Sequence, residues 1–351
     1  MPQKPLTETE LQMALQTVER AGSIAAAAVE LDMPYGTLQN RLRRAKQLLQ
    51  PVRHLQEEAQ LPTFPDEDLP VNDILNHLES AFLKKSEHEA AKHWFKVKIK
   101  SDAPYGLAVI GDPHLGVHCN IPLLRRDVEI LATTEGVGAV NIGDTVDNWG
   151  GRLIRLYADS DISRQTERRL AQWFLNKKED DGAGIPWVVW LHGNHDTMHT
   201  EFSTYLKAIN VHQIPMLDWR ANFKLCFPSC EVKIDAAHNH KGTSIYNPLQ
   251  GQKRASLWDD QADIYIAGHH HTWAISQEEA ADNRVITMAR ARGYKWDDEY
   301  GKRGGFRQDN FGATILFVID PTASPETRVK PFADLKEGAE FLRWKRNQFK
   351  N

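Results

Sequence analysis

The chain of 351 residues has room for two or three domains, and its 41% hydrophobic and 26% charged residues are the balance of a soluble globular protein. With 43 basic against 47 acidic residues the net charge is −4, which excludes a whole-protein basic signal for nucleic acid and leaves only local ones. Cys119, Cys226 and Cys230 form no CxxC pair, which argues against a zinc ribbon or a disulfide framework. The polar N-terminus and the lack of any window near ~20 apolar residues argue against a secretory signal and a membrane partner, so the expected compartment is the cytoplasm.

Residues 1–50 predict a small all-α domain. Thr7 and Glu10 are spaced as a capping box, and Leu11, Leu15 and Val18 then recur on one helical face. Gly22 ends that helix, Ser23 caps the next, and Asp32-Met33-Pro34 breaks the chain before a third helix through Leu38, Leu42 and Ala45. The pattern reads as a helix-turn-helix, with Tyr35, Thr37, Gln39, Asn40, Arg41, Arg43 and Arg44 displayed as candidate DNA contacts. No acidic residue occurs between Asp32 and Glu57, while Arg41, Arg43, Arg44, Lys46 and Arg53 do, a local charge pattern of the kind that contacts phosphates. The competing reading is a protein-contact module whose basic residues merely face water. If DNA is the partner, paired half-sites make a homodimer a natural assembly.

Residues 51–93 read as a linker and a short helix. Pro51, Pro62, Pro65 and Pro70 mark the linker, and Ile74, Leu75, Leu78 and Phe82 mark the helix, which either packs on the catalytic domain or acts as a spacer. From Trp94 the period changes to two: Phe95, Val97 and Ile99 alternate with Lys96, Lys98 and Lys100, a strand buried on one face. The catalytic domain is expected over 94–325, with 326–351 as a C-terminal tail or helix. Within it, apolar strands run repeatedly into polar motifs: Leu107–Ile110 into Asp112, Ala139–Ile142 into Asp144, Trp187–Leu191 into Asn194, and Ile264–Ala267 into His269. Ile286–Ala289 and Ile315–Ile319 supply late strands. Functional groups carried on loops after strand C-termini are typical of α/β enzymes with central sheets.

The motifs are Gly-Asp112-Pro-His114, Gly-Asp144-Thr-Val-Asp147-Asn148, Gly-Asn194-His195-Asp196, Ala-His238-Asn-His240 and Gly-His269-His270-His271. Asp112 and His114, two apart in a turn, can face one side. A carboxylate such as Asp144 has two oxygens and can bridge two ions at the ~3.5–4 Å spacing of two-metal sites. Asn194 offers a neutral amide oxygen, and His238, His269 and His271 offer imidazoles. Mixed nitrogen and oxygen donors without thiolates suit Mn²⁺, Fe or Zn²⁺ better than Ca²⁺. Each histidine alone reads as surface or packing, and several of the 15 must be bystanders, among them His118, His192, His199, His212 and His240. Five such motifs in series do not.

Together GDPH, GDTVDN, GNHD, a mid-chain His and GHHH resemble the calcineurin-like metallophosphoesterase family over roughly residues 105–320. The resemblance implies an α/β (α+β) fold: a central β-sheet sandwich flanked by helices, here preceded by the helix-turn-helix. It implies two divalent metal ions, Mn²⁺ first, with Fe, Zn²⁺ or Mg²⁺ as alternatives. One would be held by Asp112, His114, Asp144 and His271, the other by Asp144, Asn194, His238 and His269, with a water between them attacking phosphorus in line. His195 would stand over the leaving oxygen as general acid or transition-state stabiliser, oriented by Asp147. Asn148 stands where many family phosphatases carry an arginine, which weakens a phosphoprotein phosphatase reading. The family's His-Gly step is here His238-Asn239-His240-Lys241-Gly242, so His240 competes with His238.

Two segments are candidates for a substrate wall: 148–169, with Arg152 and Arg155, and 290–307, with Tyr294, Lys295, Trp296 and Arg303. Cations neutralise phosphates and rings stack on bases. The competing reading of the second is a solvated loop with core aromatics. The combination with a helix-turn-helix resembles bacteriophage or prophage metallophosphoesterases and the DNA repair exonuclease branch. It implies a DNA nuclease, in the cytoplasm of a bacterial host if phage-encoded. The alternatives are an esterase for a nucleotide or other small phosphoester, and a DNA-binding regulator with an inert phosphoesterase fold.

Overall fold

The computed structural model describes residues 6–48, 69–280, 282–296 and 314–350. The proline linker up to 68 and the wall candidates from 297 to 313, Arg303 included, lie outside the described residues. The chain divides into two compact units, Met1–Glu79 and Ser80–Asn351.

The first unit holds three helices: α1 (Glu8–Ala21), α2 (Ile24–Glu30) and α3 (Tyr35–Leu48). The capping box is present: the Thr7 hydroxyl accepts from the Glu10 amide, and the Glu10 carboxylate accepts from the Thr7 amide at 2.7 Å. Gly22 ends α1 at φ 73°, and the Ser23 hydroxyl caps α2. Ala27 and Ala28 of α2 are buried against Ala14 of α1 and Leu38 and Leu42 of α3, where small side chains let three short helices close on one another. That packing leaves Tyr35, Thr37, Gln39, Asn40, Arg43 and Arg44 exposed on α3, with Arg41 half-buried. Helix α4 (Val71–Lys92) follows; at 22 residues it is longer than its apolar spacing suggested, and it buries no side chain.

The second unit is built on two six-stranded sheets. One has the order β12-β11-β2-β3-β4-β5, formed by β2 (Tyr105–Ile110), β3 (Val137–Asn141), β4 (Trp187–His192) and β5 (Met216–Asp218) in parallel, with β11 (Thr314–Ile319) and β12 (Val329–Phe332) antiparallel at one side. The other has the order β1-β6-β7-β8-β10-β9, from β1 (Phe95–Lys98), β6 (Arg220–Cys226), β7 (Glu231–Ala237), β8 (Ile264–Ala267), β9 (Ala274–Glu279) and β10 (Val285–Arg290). Leu107, Val109, Val140, Val189 and Leu191 of the first sheet pack face to face with Phe223, Leu225, Ile234, Ile264 and Ile266 of the second. The alternate residues Ala108, Ile110, Ala139 and Trp190 face outward onto α5 (Ile121–Thr133), α6 (Arg164–Leu175), α8 (Thr200–Ile209) and α10 (Leu335–Lys350). Helix α9 (Gln250–Trp258) covers the second sheet through Ala255, Tyr265 and Met288. With both faces covered, the inner strands read as continuous apolar runs, whereas β1 at an edge keeps the alternation seen in the sequence.

The segment after 325, expected as a tail or helix, does form a helix, α10, and together with β12 it joins this core. Strand β12 pairs with β11, and Leu335, Ala339 and Leu342 of α10 are buried in the layer outside β2. Gly106 in β2 makes room for it: a Cβ there would stand 2.8 Å from Leu342 Cδ2. Leu342→Ala is therefore expected to cost about 2–5 kcal/mol, and urea unfolding of the variant measures it.

Candidate metal centre

The motif side chains converge because their strands end together. Loops leaving β2, β3, β4, β7 and β8 deliver Asp112 and His114, Asp144 and Asp147, Asn194 and His195, His238, and His269 and His271. A short helix, α7 (Asn194–Met198), begins at the third of these. The loops are strained where they matter: His114, Asp144, Asn148, His269 and His271 all hold left-handed φ values between 42° and 68°. Gly143 (φ 108°) and Gly193 let them approach, since a Cβ on Gly193 would collide with Asp144 Oδ1 and one on Gly143 would stand 2.8 Å from His238 Nδ1.

Asp144 occupies the middle. Its Oδ1 accepts the backbone N–H of His195 at 2.9 Å, and its Oδ2 lies 3.3 Å from His238 Nε2 and 3.9 Å from His114 Nε2. On one side, His238 Nε2 is 3.0 Å from both Asn194 Oδ1 and His269 Nδ1. On the other, His271 Nε2 is 3.4 Å from Asp112 Oδ2, and the His114 and His271 rings meet edge-on. The far nitrogens are anchored: His114 Nδ1 lies 2.8 Å from Asp147 Oδ1, and His238 Nδ1 2.9 Å from the Ile142 carbonyl oxygen. Such anchoring turns the Nε2 lone pairs inward, as metal-binding histidines require.

These residues fit a pair of divalent ions. Asp112 Oδ1 and His114 Nε2 are buried with no hydrogen-bond partner, a costly condition for a carboxylate and an imidazole unless a cation faces them. Two donor groups, His114–Asp144–His195 and Asp144–His238–His269, each converge within 4.8 Å and share Asp144. Burial pushes the Asp112 carboxyl up to about 7 and the His114 imidazole down to about 4. Burial also opposes ionisation of Asp144, but the facing His238, with His195 and His114, outweighs it and holds that carboxyl far below the usual range.

Asp147 enters differently from the expectation. Its carboxylate does not face His195; it accepts from His114 and from Lys295 Nζ, the latter at 2.7 Å. His195 Nδ1 instead donates to the Asp147 backbone carbonyl at 2.5 Å, its ring stands edge-on to the buried Trp149, and its loop is braced by Asn148 Nδ2 donating to the His195 carbonyl at 2.7 Å. Of the competing pair, His238 lies at the centre, while His240 faces Asp235 Oδ1 at 3.2 Å, where Arg220 also grips that carboxylate.

The wall candidates scatter. Tyr294 is buried, donating to Asp127 Oδ2 at 2.7 Å and meeting the Thr314 hydroxyl, so it is a core ring and not a substrate contact. Arg152 and Arg155 are exposed on the 3-10 turn Gly151–Asp159, and Trp296 is 39% exposed with its amide held by the His118 carbonyl. Several supporting roles carried no signal in the sequence, although Asp196 itself stands in the Gly-Asn194-His195-Asp196 motif. Asp196 ties the loops after β3 and β4 together through the Thr145 and Gly193 amides, each at 2.9 Å; buried Glu167 accepts the Asn148 amide; and buried Arg290 donates to the Gly268 carbonyl at 2.6 Å beneath the histidine run.

A family model, calcineurin-like phosphoesterase, matches residues 106–317. The chain belongs to that family. It is accordingly a metal-dependent phosphoesterase, a hydrolase, and the two packed sheets with flanking helices are that family's fold. No curated protein matches the chain. Among solved structures, zinc-bound Vps29 of Entamoeba histolytica is 14% identical, covering 65% of this chain and 97% of its own at TM-score 0.35. A 5'-nucleotidase precursor of Thermus thermophilus is 9% identical over 70% of this chain and 58% of its own (TM-score 0.35). The NAD nucleotidase of Haemophilus influenzae is 10% identical over 66% and 49% (TM-score 0.37). None of these likenesses bears on substrate. Among the described residues no helix is long and apolar enough to cross a membrane.

Two outcomes are expected. Because the Asp147 carboxylate anchors His114 and not His195, Asp147→Asn should weaken divalent-ion binding about 10- to 100-fold in a calorimetric titration; unchanged affinity with a slower rate would instead return the carboxylate to His195. Away from the centre, His192 is buried with both nitrogens unpartnered, and burial pushes it down to about 4. The unfolded chain therefore binds the extra proton between about pH 6.5 and 4, and stability falls as pH drops through that window. His192→Leu should make the fall shallower in denaturant titrations at successive pH values.

Proposed function

We propose that this phosphoesterase is a DNA nuclease, with the N-terminal unit acting as a helix-turn-helix that brings it to DNA. The observation that carries DNA as substrate is the exposed face of α3: Tyr35, Thr37, Gln39, Asn40, Arg43 and Arg44 face solvent, and the helix contains no acidic residue. Such a face supplies phosphate neutralisation from arginines and base-edge contacts from amides and hydroxyls. Asn148 points the same way, since its amide is used to brace His195 and leaves no guanidinium there to grip a phosphomonoester.

In this reading Asp112, His114, Asp144 and His271 hold one ion and Asp144, Asn194, His238 and His269 the other, with Mn²⁺ suited to the donor set. When bound, the ions polarise the phosphoryl oxygens and lower the pKa of water. The chain itself supplies orientation and the proton. Donation from Nδ1 to the Asp147 carbonyl fixes the His195 ring with Nε2 toward the centre. From there the imidazolium hands its Nε2 proton to the departing sugar oxygen. The buried Trp149 against that ring keeps it from swinging out.

Purified protein with Mn²⁺ should cleave DNA, and Asp144→Ala or His195→Ala should reduce the rate by at least about 100-fold. Arg43→Glu with Arg44→Glu should weaken duplex binding and flatten its salt dependence, leaving turnover of a bis-aryl phosphodiester unchanged. Brisk turnover of small phosphodiesters with no cleavage of any DNA would sink the nuclease reading in favour of a nucleotide esterase.

A further inference from the structure

Trp219 is the single residue between β5 of one sheet and β6 of the other. The chain changes sheets there through a left-handed backbone, φ 67°, a conformation unfavourable for so bulky a side chain. Its amide donates to the His192 carbonyl at 3.0 Å, and its carbonyl accepts from the His238 amide at 2.7 Å, so the corner is pinned to the ends of both β4 and β7. The indole stands beside two histidines of the centre. Its centroid is 5.1 Å from that of His238 and 6.1 Å from that of His269. Yet it remains 42% exposed.

The ring is also fixed in orientation. Its Nε1 donates to the Asn239 carbonyl at 3.1 Å, and the Asn239 side chain is held in turn by His270 and by the buried Arg290 guanidinium. A corner that only had to turn the chain would be met by glycine without strain. Here a strained backbone presents a large, rigid π-surface, partly open to solvent, immediately beside two proposed metal ligands. Rigidity of this kind removes the ordering cost that a mobile aromatic incurs when a ligand stacks on it.

We propose that Trp219 is a nucleobase-stacking subsite, taking the base of a nucleotide next to the scissile phosphate. The subsite rests on the proposed reading of His238 and His269 as the residues beside that phosphate. Stacking on a ring face is indifferent to base identity, so it selects nucleic acid over base-free phosphodiesters without selecting sequence.

The test compares full-length wild type, Trp219→Ala and Trp219→Phe on two fluorescent single strands of equal length, one carrying bases and one made wholly of tetrahydrofuran abasic units. Binding is read by anisotropy and hydrolysis by KM and kcat with Mn²⁺. The alanine variant is expected to lose roughly 5- to 100-fold in affinity for the base-bearing strand, the range one stacked ring contributes. It should show a matching rise in KM, with binding of the abasic strand unchanged and the phenylalanine variant recovering most of the loss. Equal losses on both strands would make Trp219 a cover for His238 and overturn the subsite, as would no loss on either, or a wild type that binds both strands alike. A base-dependent loss of binding in a protein that hydrolyses no DNA would leave the subsite standing and remove the nuclease reading.

Discussion

The metal centre is organised around a carboxylate, Asp144, buried among imidazoles in a left-handed backbone conformation, φ 54°. A buried charge is tolerated only where opposite charge and hydrogen bonds surround it. Much of the neighbouring architecture meets that condition. The His195 amide donates to one oxygen, His238 and His114 face the other, and two glycines remove the Cβ atoms that would hold the loops apart. The left-handed residues cluster in these loops because the packed sheets beneath over-determine where the loops can go.

The scaffold supplies that stiffness. Strands β2, β3, β4, β7 and β8, each in a parallel pair and packed against the core, contribute the loops of the centre. Strand β12 extends the sheet beside β11, and Leu335, Ala339 and Leu342 of α10 pack in the layer outside β2. The tie between the β3 and β4 loops through Asp196, and the Arg290 guanidinium under the Gly268 carbonyl, fix the remaining freedom.

The residues of the metal centre and those of the proposed DNA-contacting face belong to different units of the chain. The donor set and His195 lie within the family-matched region, whereas α3 and its exposed arginines lie in the other compact unit. The aromatic side chains divide in the same way. Trp149 is buried and serves His195 from inside, Tyr294 is a core ring hydrogen-bonded to Asp127, and Trp219 alone of these three keeps a large open surface beside the histidines.

Seven of the twelve described strands and the donor motifs were legible in the amino-acid order, and the reaction class followed from the family those motifs resemble; β5, β6, β7, β9, β12 and the order of both sheets were not. Donor residues placed behind apolar runs are a local pattern, and strands buried on both faces announce themselves as uninterrupted apolar stretches, as Leu107–Ile110 and Ile264–Ala267 do. The caps of α1 and α2 were legible too, because Thr7, Glu10, Gly22 and Ser23 act over three or four residues. Which end of a side chain is used, and against what, emerged only with the packed sheets. Asp147 acts on His114 through its carboxylate and on His195 through its carbonyl; His238 and His240, two apart in the loop after β7, part company toward different carboxylates; and a tryptophan at a sheet crossover arrives beside the histidines. These are contacts between residues far apart along the chain, set by the register and packing of two sheets, and no local spacing encodes them.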